Sequence, residues 1–367
     1  FVWIPKYRYQ LWDLGLYDSL TSIDTSKVHE IPIIFGDYNT NDANEGECTT
    51  PMESGATGNC TVGDYMTHPA FISISSTGFW VGKFETGYRG ATSTAEAEQN
   101  INDPNKVIIK PNVYSWNNIQ ISNAHLNSYN YKRNLDSHMM KNTEWGAVAY
   151  LSQSQYGSAT NTRINSNSFL ITGYAANNEP TCGYTGTNEE CNRHCNDDTC
   201  NTAYPNSILA STTGNITGIY DMNGCAHDYV MSIMYNSNNI PIAGNSSFNS
   251  GFNGIYIDTN ELFEAGIPIP ESKYFDSYSY SDAATKYYGR ILGDATGEMG
   301  PFWDNTYSSS WYSDLSHFYN NDGSFMSRGG AYVDGNIAGV FAFYPWQGVN
   351  LYNVSFHIIL TPTGNTA

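Results

Sequence analysis

Residues 218–231, GIYDMNGCAHDYVM, set Cys225, His227 and Asp228 within four positions of one another. Three readings compete for this stretch: a nucleophile with its base, a set of metal ligands, or scaffold. A cysteine nucleophile needs a lowered thiol pKa and a base within hydrogen-bond reach. Cys225 and His227 stand at i, i+2, so on a helix they point apart, and on a strand they share a face without aligning their reactive atoms. A metal centre built here needs at least one distant ligand. The stretch is therefore expected to be scaffold, and the chain around it must say what the scaffold carries.

The chain has 367 residues, of which 40% are hydrophobic, 14% aromatic and only 14% charged. That charged share lies well below the usual quarter. Polarity comes instead from Asn, Ser, Thr, Gly and Tyr, with 29 Tyr and 33 Gly. Short hydrogen-bonding side chains mixed with rigid amphipathic rings suit loops and adaptable binding surfaces. The net charge of −19 leaves no basic stripe for a nucleic acid and disfavours an anionic membrane surface. No run of 18 apolar residues occurs, so direct membrane insertion is not expected. Residue 1 is Phe, and FVWIPKYRYQLW reads at once as a strand, which is the expectation for a processed form.

The seven cysteines fall unevenly. Cys48 and Cys60 bracket one turn-rich loop, Cys182, Cys191, Cys195 and Cys200 crowd another, and Cys225 stands alone. Such short loops read as disulfide staples in an oxidising compartment. The zinc alternative, from Cys191, His194, Cys195 and Cys200, lacks the Cys-x2-Cys spacing of structural sites. An odd total leaves one thiol unpaired, or paired outside the chain.

Strands are expected at 1–12, 31–35, 79–86, 105–111, 338–344 and 354–360, from alternation and β-branched or aromatic enrichment. Two helices are expected. One spans roughly 116–128; the other begins near Thr143 as its cap, buries Trp145, Val148, Ala149 and Leu151, and stops at Gly157. Long loops without periodicity fill 38–66, 174–216, 236–253 and 296–325. No linker divides the core elements, so the expectation is a single α+β domain over 1–367.

Among chemical signatures, the pairs Glu189–Glu190 and Asp197–Asp198 sit in the cysteine-rich loop, where solvation explains them more simply than glycosidase chemistry. The oxygen-rich stretch 36–47 could hold a structural calcium but lacks EF-hand spacing. No nucleophile elbow, zincin motif or P-loop occurs. The segment 327–360, SRGGAYVDGNIAGVFAFYPWQGVNLYNVSFHIIL, is the most suggestive. Glycines punctuate a dense aromatic set, and 344–347 reads as a turn carrying exposed rings. Aromatic rings beside adaptable polar groups are what recognition surfaces are made of.

Four stretches, in order, resemble one family. GIYDMNGCAHDYVM resembles the GLYDMxGNVWEWV motif of formylglycine-generating-enzyme-like domains, a branch of the C-type-lectin fold. The closing segment 327–360 resembles that family's RGGSW…GFRVV, HMMKNTEWGAVAYLS (138–152) its LPTEAEWEYAA helix, and FVWIP with FWVGKFETG (79–87) its opening strands. The resemblance implies a C-type-lectin-like domain of short twisted antiparallel strands and two main helices, with insertions near 38–66, 174–216 and 236–325. It implies scaffold roles for Trp145, Asp221, Gly224, Arg328, Gly329 and Gly330. The family's oxidase branch uses paired cysteines near the closing motif, and no cysteine here follows Cys225, so no catalysis and no cofactor are expected. The other branch binds ligands and includes phage receptor-binding proteins and bacterial surface proteins diversified by retroelements. By that resemblance the binding surface is Tyr332, Val333, Asp334, Asn336 and Phe341, continued by Phe343, Tyr344, Trp346, Asn350 and Tyr352. The implied partner is a protein or glycan receptor, met at a bacterial surface or on a phage virion. The rivals are a self-assembling subunit of an extracellular filament or surface layer, and an enzyme of the formylglycine-generating type. In the motif itself His227 replaces a core aromatic, and Cys225 beside a loop of four further cysteines suggests a bridge to Cys182 or Cys200.

Overall fold

The structure, a computed structural model, describes residues 1–13, 28–36, 60–73, 77–159, 170–175, 202–203, 211–279, 291–299, 308–318 and 323–361. Within them lie four α-helices, Pro69–Ser73, Thr94–Ala97, Ile121–Tyr131 and Asn142–Ser152, and many short strands in seven sheets. The class is therefore mixed α+β. Among the described residues no helix is long and apolar enough to cross a membrane.

Both ends of the chain divide where one strand was expected. Val2–Pro5 pairs antiparallel with Gly78–Val81, and after Lys6 the chain moves to a second sheet, where Tyr7–Gln10 pairs with Ile33–Phe35 and Tyr65–Thr67. Pro5 has no N–H for a ladder, which suits the end of a strand. The closing stretch breaks at His357. Val354–Phe356 runs parallel to His227–Val230, whereas Ile358–Leu360 lies antiparallel between Gly78–Val81 and His138–Met139. First and last strands thus flank the same neighbour, and the last segment joins the two largest sheets.

The larger sheet has six strands in the order Ser308–Ser309, Leu315–Ser316, Phe343–Trp346, Phe325–Arg328, His227–Val230 and Val354–Phe356. One apolar cluster gathers Val230, Met326 and Phe343 with Trp145 and Val148; a second gathers Tyr229, Phe325, Val354 and Phe356 with Ile121 and Ala124. Alternation along the strands assigns these sets to opposite faces.

Asn142–Ser152 is buried along its whole length, not on one face alone. Thr143 is not its cap: it lies inside the helix, donating through its amide (2.7 Å) and hydroxyl (3.2 Å) to Asp276 from another strand. Glu144 accepts the Lys141 amide at 2.8 Å. Both carboxylates stand at the positive end of the helix dipole. At Gly146 an added Cβ would lie 2.0 Å from the Gly293 carbonyl oxygen. Alanine is the better helix former, yet Gly146→Ala is expected to destabilise the fold by about 1–3 kcal/mol through overpacking. Urea unfolding checks the sign, and a stabilised variant would contradict this packing.

Other expectations are corrected. The first helix is Ile121–Tyr131, not 116–128, because Asn118 takes a left-handed φ of 55° and interrupts the run. Residues 338–342 form turns, not strand; Gly335–Ile337 is a short 3-10 helix, and the strand starts at Phe343. Residues 344–346 belong to that strand and are not a turn. Pro345 is tolerated there because the pairing with Leu315–Ser316 reaches only as far as Phe343. Residues 236–253 include the strand Ile242–Gly244.

Candidate functional site

The scaffold that positions the site is built from the RGG sequence. Arg328 is wholly buried, its guanidinium 5.7 Å from the Trp145 ring centre and 5.5 Å from that of Phe343. It donates to Asn142 Oδ1 and the Asp294 carbonyl, both at 3.3 Å, and to the Ala295 carbonyl at 3.1 Å. Gly329 and Gly330 follow with φ of 82° and 69°, a conformation side chains resist. Gly224 donates to the Gly329 carbonyl at 3.2 Å, and Trp145 Nε1 to the Val340 carbonyl at 2.8 Å. Asp221 accepts the Glu85 amide at 3.2 Å and also the Thr172 hydroxyl.

After Gly330 the chain leaves the sheet and is tied to residues 225–227. The Tyr332 amide donates to the Cys225 carbonyl at 2.8 Å. Asp334 Oδ2 accepts the Ala331 amide at 2.6 Å and faces His227 Nε2 at 2.9 Å. Burial opposes the Asp334 charge, but His227 and the Ala331 amide outweigh it and hold the carboxyl below its usual range. The chain re-enters the sheet at Phe343–Trp346, where alternation sends Tyr344 and Trp346 to one side with ring centres 5.3 Å apart. His317 stacks on Tyr344 at 5.2 Å, and His227 meets Trp346 edge-on at 6.2 Å. A row of four rings therefore runs from His317 to His227 and ends on Asp334. Tyr344 and Trp346 are half-buried, while Asn350 and Tyr352 are exposed.

Phe341 and Phe343, expected at the surface, are core residues: Phe341 packs on Trp311 (5.4 Å) and Phe343 on Arg328. Both sides of this segment are covered, so alternation does not bring either ring out. Tyr332 has a buried ring, and Val333 and Asp334 are partly exposed. The Asn336 side chain lies outside the described residues. His317, which stacks on Tyr344, carried no signal in sequence, since its neighbours are brought to it only by the fold.

Cys225 also requires correction. It is a free, buried thiol, not the partner of a cysteine in 182–200. Its φ of 66° turns the side chain inward, into a small cluster with Ala175, Ala226, Ala331 and Tyr332, and Sγ lies 3.8 Å from Ser115 Oγ. Burial, then Glu85 and Asp221, push the thiol well above its ordinary pKa, opposite to what a nucleophile needs. No hydrogen bond among the described residues joins Cys225 to His227. Cys60 is disulfide-bonded; Cys48, Cys182, Cys191, Cys195 and Cys200 lie outside the described residues, as do the two acidic pairs and nearly all of 36–47.

Beneath the patch runs a buried polar chain. His357 Nδ1 lies 3.0 Å from both oxygens of Asp228, and Nε2 lies 3.3 Å from the Tyr220 carbonyl. With an acceptor on each nitrogen, the ring is held as imidazolium. Burial works against that charge, but Asp228 dominates and raises the pKa to about 9. Glu85 accepts the Ala226 amide at 3.0 Å, and burial with Asp228 and Asp221 raises its pKa well above normal. Among the described residues no group of three or more His, Cys, Asp or Glu is placed to hold a metal ion.

No protein-family model matches the chain, and no curated protein matches it.

Proposed function

We propose that this chain is a non-catalytic binding protein with a C-type-lectin-like fold of the formylglycine-generating-enzyme type. Its ligand is a protein or glycan receptor at a bacterial surface or on a virion, met outside the cell. The observation that carries the reading is the ring row His317–Tyr344–Trp346–His227 at the end of the six-stranded sheet, beside exposed Asn350 and Tyr352. The fold proposal draws support from the four resembling stretches, which meet one another: Arg328 lies over Trp145, Gly224 bonds Gly329, and the first and last strands flank Gly78–Val81. A rigid scaffold that holds Tyr344 and Trp346 half-buried, backed by the buried rings of His317 and His227, supplies contact area at low entropic cost.

Binding of labelled protein to printed glycan and peptide arrays tests this. The wild type is expected to give discrete positives. Tyr352→Ser combined with Asn350→Ala, both at exposed positions, is expected to weaken them about tenfold, roughly what one moderate hot spot contributes. Positives that ignore these substitutions, or none at all, would contradict the proposal. A self-assembling subunit is the second reading, favoured by the exposed pair Trp3–Trp80, with ring centres 5.2 Å apart, on the edge strand Val2–Pro5 and its neighbour. Sedimentation of the protein alone separates the two, since a binder of this kind has no need to grow into polymers.

A further inference from the structure

The stretch that decides the fold is preceded by a turn with a second signature. Asn215, Ile216 and Thr217 form the triplet Asn-x-Ser/Thr, the acceptor sequence for an N-linked glycan. In a chain this rich in Asn, Ser and Thr the triplet recurs by chance, and among the described residues it is found again at Asn245 and Asn353. Geometry separates the three. Residues 214–217 are exposed, while 211–213 and 218–220 on either side are buried. The Thr212 amide donates to the Ile219 carbonyl at 2.8 Å and closes the neck of the turn, and the Gly218 amide donates to the Asn215 carbonyl at 3.0 Å. Lys83 Nζ holds the Ile216 carbonyl at 2.6 Å. At this fixed tip the Thr217 hydroxyl donates to Asn215 Oδ1 at 2.7 Å. We propose that Asn215 is the attachment site of an N-linked glycan, received from a lipid-linked oligosaccharide on a secretory route. Asn215 is no part of the ring row, so the glycan and the binding surface stand or fall separately.

The chemistry is a glycosyl transfer. A hydroxyl donor on Oδ1 draws electron density toward the oxygen and makes an Nδ2 proton easier to lose. Nδ2 forms the new bond to the anomeric carbon of the donor sugar, and the bond from that carbon to the lipid pyrophosphate breaks. The pyrophosphate leaves with the electron pair, and the Nδ2 proton passes to a base of the transferase. Neither of the other triplets is arranged this way. Asn245 is half-buried, and its Oδ1 accepts the Ser247 amide at 2.8 Å rather than a hydroxyl. At Asn353 the required hydroxyl belongs to Ser355, which is wholly buried in the strand Val354–Phe356. The glycan also has a physical effect at Asn215. Ile216, beside it, is 42% exposed, and a bulky hydrophilic chain covers that apolar tip.

The full chain, secreted from insect cells, is digested and its peptides are weighed by mass spectrometry before and after treatment with peptide N-glycosidase. The enzyme removes the glycan and leaves an aspartate at the modified position, so each site is read directly. The peptide containing Asn215 is expected to carry a sugar mass increment, and the Asn353 peptide to stay bare. Asn215→Gln and Thr217→Val should each abolish the increment, whereas Thr217→Ser, which keeps the hydroxyl, should retain it. All three changes fall on exposed side chains, so secretion at the wild-type level is expected, and the wild-type peptide decides even where a variant is poorly secreted. A bare Asn215 in the secreted wild type would overturn the proposal, and so would an increment that persists in Thr217→Val. Modification of Asn353 in place of Asn215 would show that exposure and hydroxyl geometry do not select the acceptor, and would overturn it too.

Discussion

Replacing His357 with Gln is expected to cost about 3 kcal/mol of stability near pH 6, within the range for unpairing a buried charge. Near pH 9.5 the same substitution is expected to cost far less. His357 is the cation that faces Asp228, with Glu85 and Asp221 also bearing on it, and it is completely buried. Its pKa in the folded chain, about 9, stands above the ordinary 6.5. A raised value means the folded state holds the proton more tightly, so the contribution is complete below pH 6.5 and lost as the pH rises through about 9. Glu298, raised from 4.5 to about 8 by burial and then by Asp294, acts in the same direction. Two buried histidines act oppositely: burial lowers His68 to about 3 and His125 to about 4, so their contribution is present above 6.5 and lost as the pH falls. Below pH 6.5 the buried acids Glu85 and Asp276, both raised by burial, work against the two histidines, so the fall above pH 6.5 is the limb that reads His357. Between there and pH 9 the wild type should lose about 3 kcal/mol through His357 alone. Urea unfolding at several pH values, with wild type and His357→Gln in parallel, gives both curves. A loss that is the same at pH 6 and pH 9.5 would mean that His357 matters for packing and not for charge.

The second large effect is at Arg328. Arg328→Met should destabilise by about 3–5 kcal/mol, because it removes a buried cation and its hydrogen bonds together. Arg328→Lys should recover less than half of that loss. Three acceptors from two segments, Asn142 Oδ1 and the carbonyls of Asp294 and Ala295, are met by a planar fork that also lies against Trp145. An ammonium has neither the fork nor the flat face. Thermal unfolding of the two variants decides it, and a lysine variant as stable as wild type would show that charge alone is required there.

Much of the scaffold was readable because it rests on local rules. Gly329 and Gly330 mark left-handed backbone, Trp145 sits where an apolar stripe requires it, and Asp221 and Gly224 lie in a quoted motif. The site was less readable. Phe341 and Phe343 alternate like a half-exposed strand, and alternation cannot say that both sides are covered. Tyr344–Pro345–Trp346 looks like a turn until the neighbouring strand is seen to end at Phe343. His227 was expected as a substitute for a core aromatic, but it pairs with Asp334, more than a hundred residues away. His317 joins the patch from a segment without any periodic signal. Cys225, drawn toward other cysteines by sequence proximity, is turned inward by its backbone. In each case the deciding term is long-range packing, which spacing does not encode.

The most direct test of the binding account is amide hydrogen exchange of the wild type with and without its strongest array ligand. The account predicts slowed exchange confined to residues 331–337 and 344–352, with the Val2–Pro5 and Gly78–Val81 strands unchanged. Protection that falls on those two strands and leaves 331–352 unaffected would contradict it.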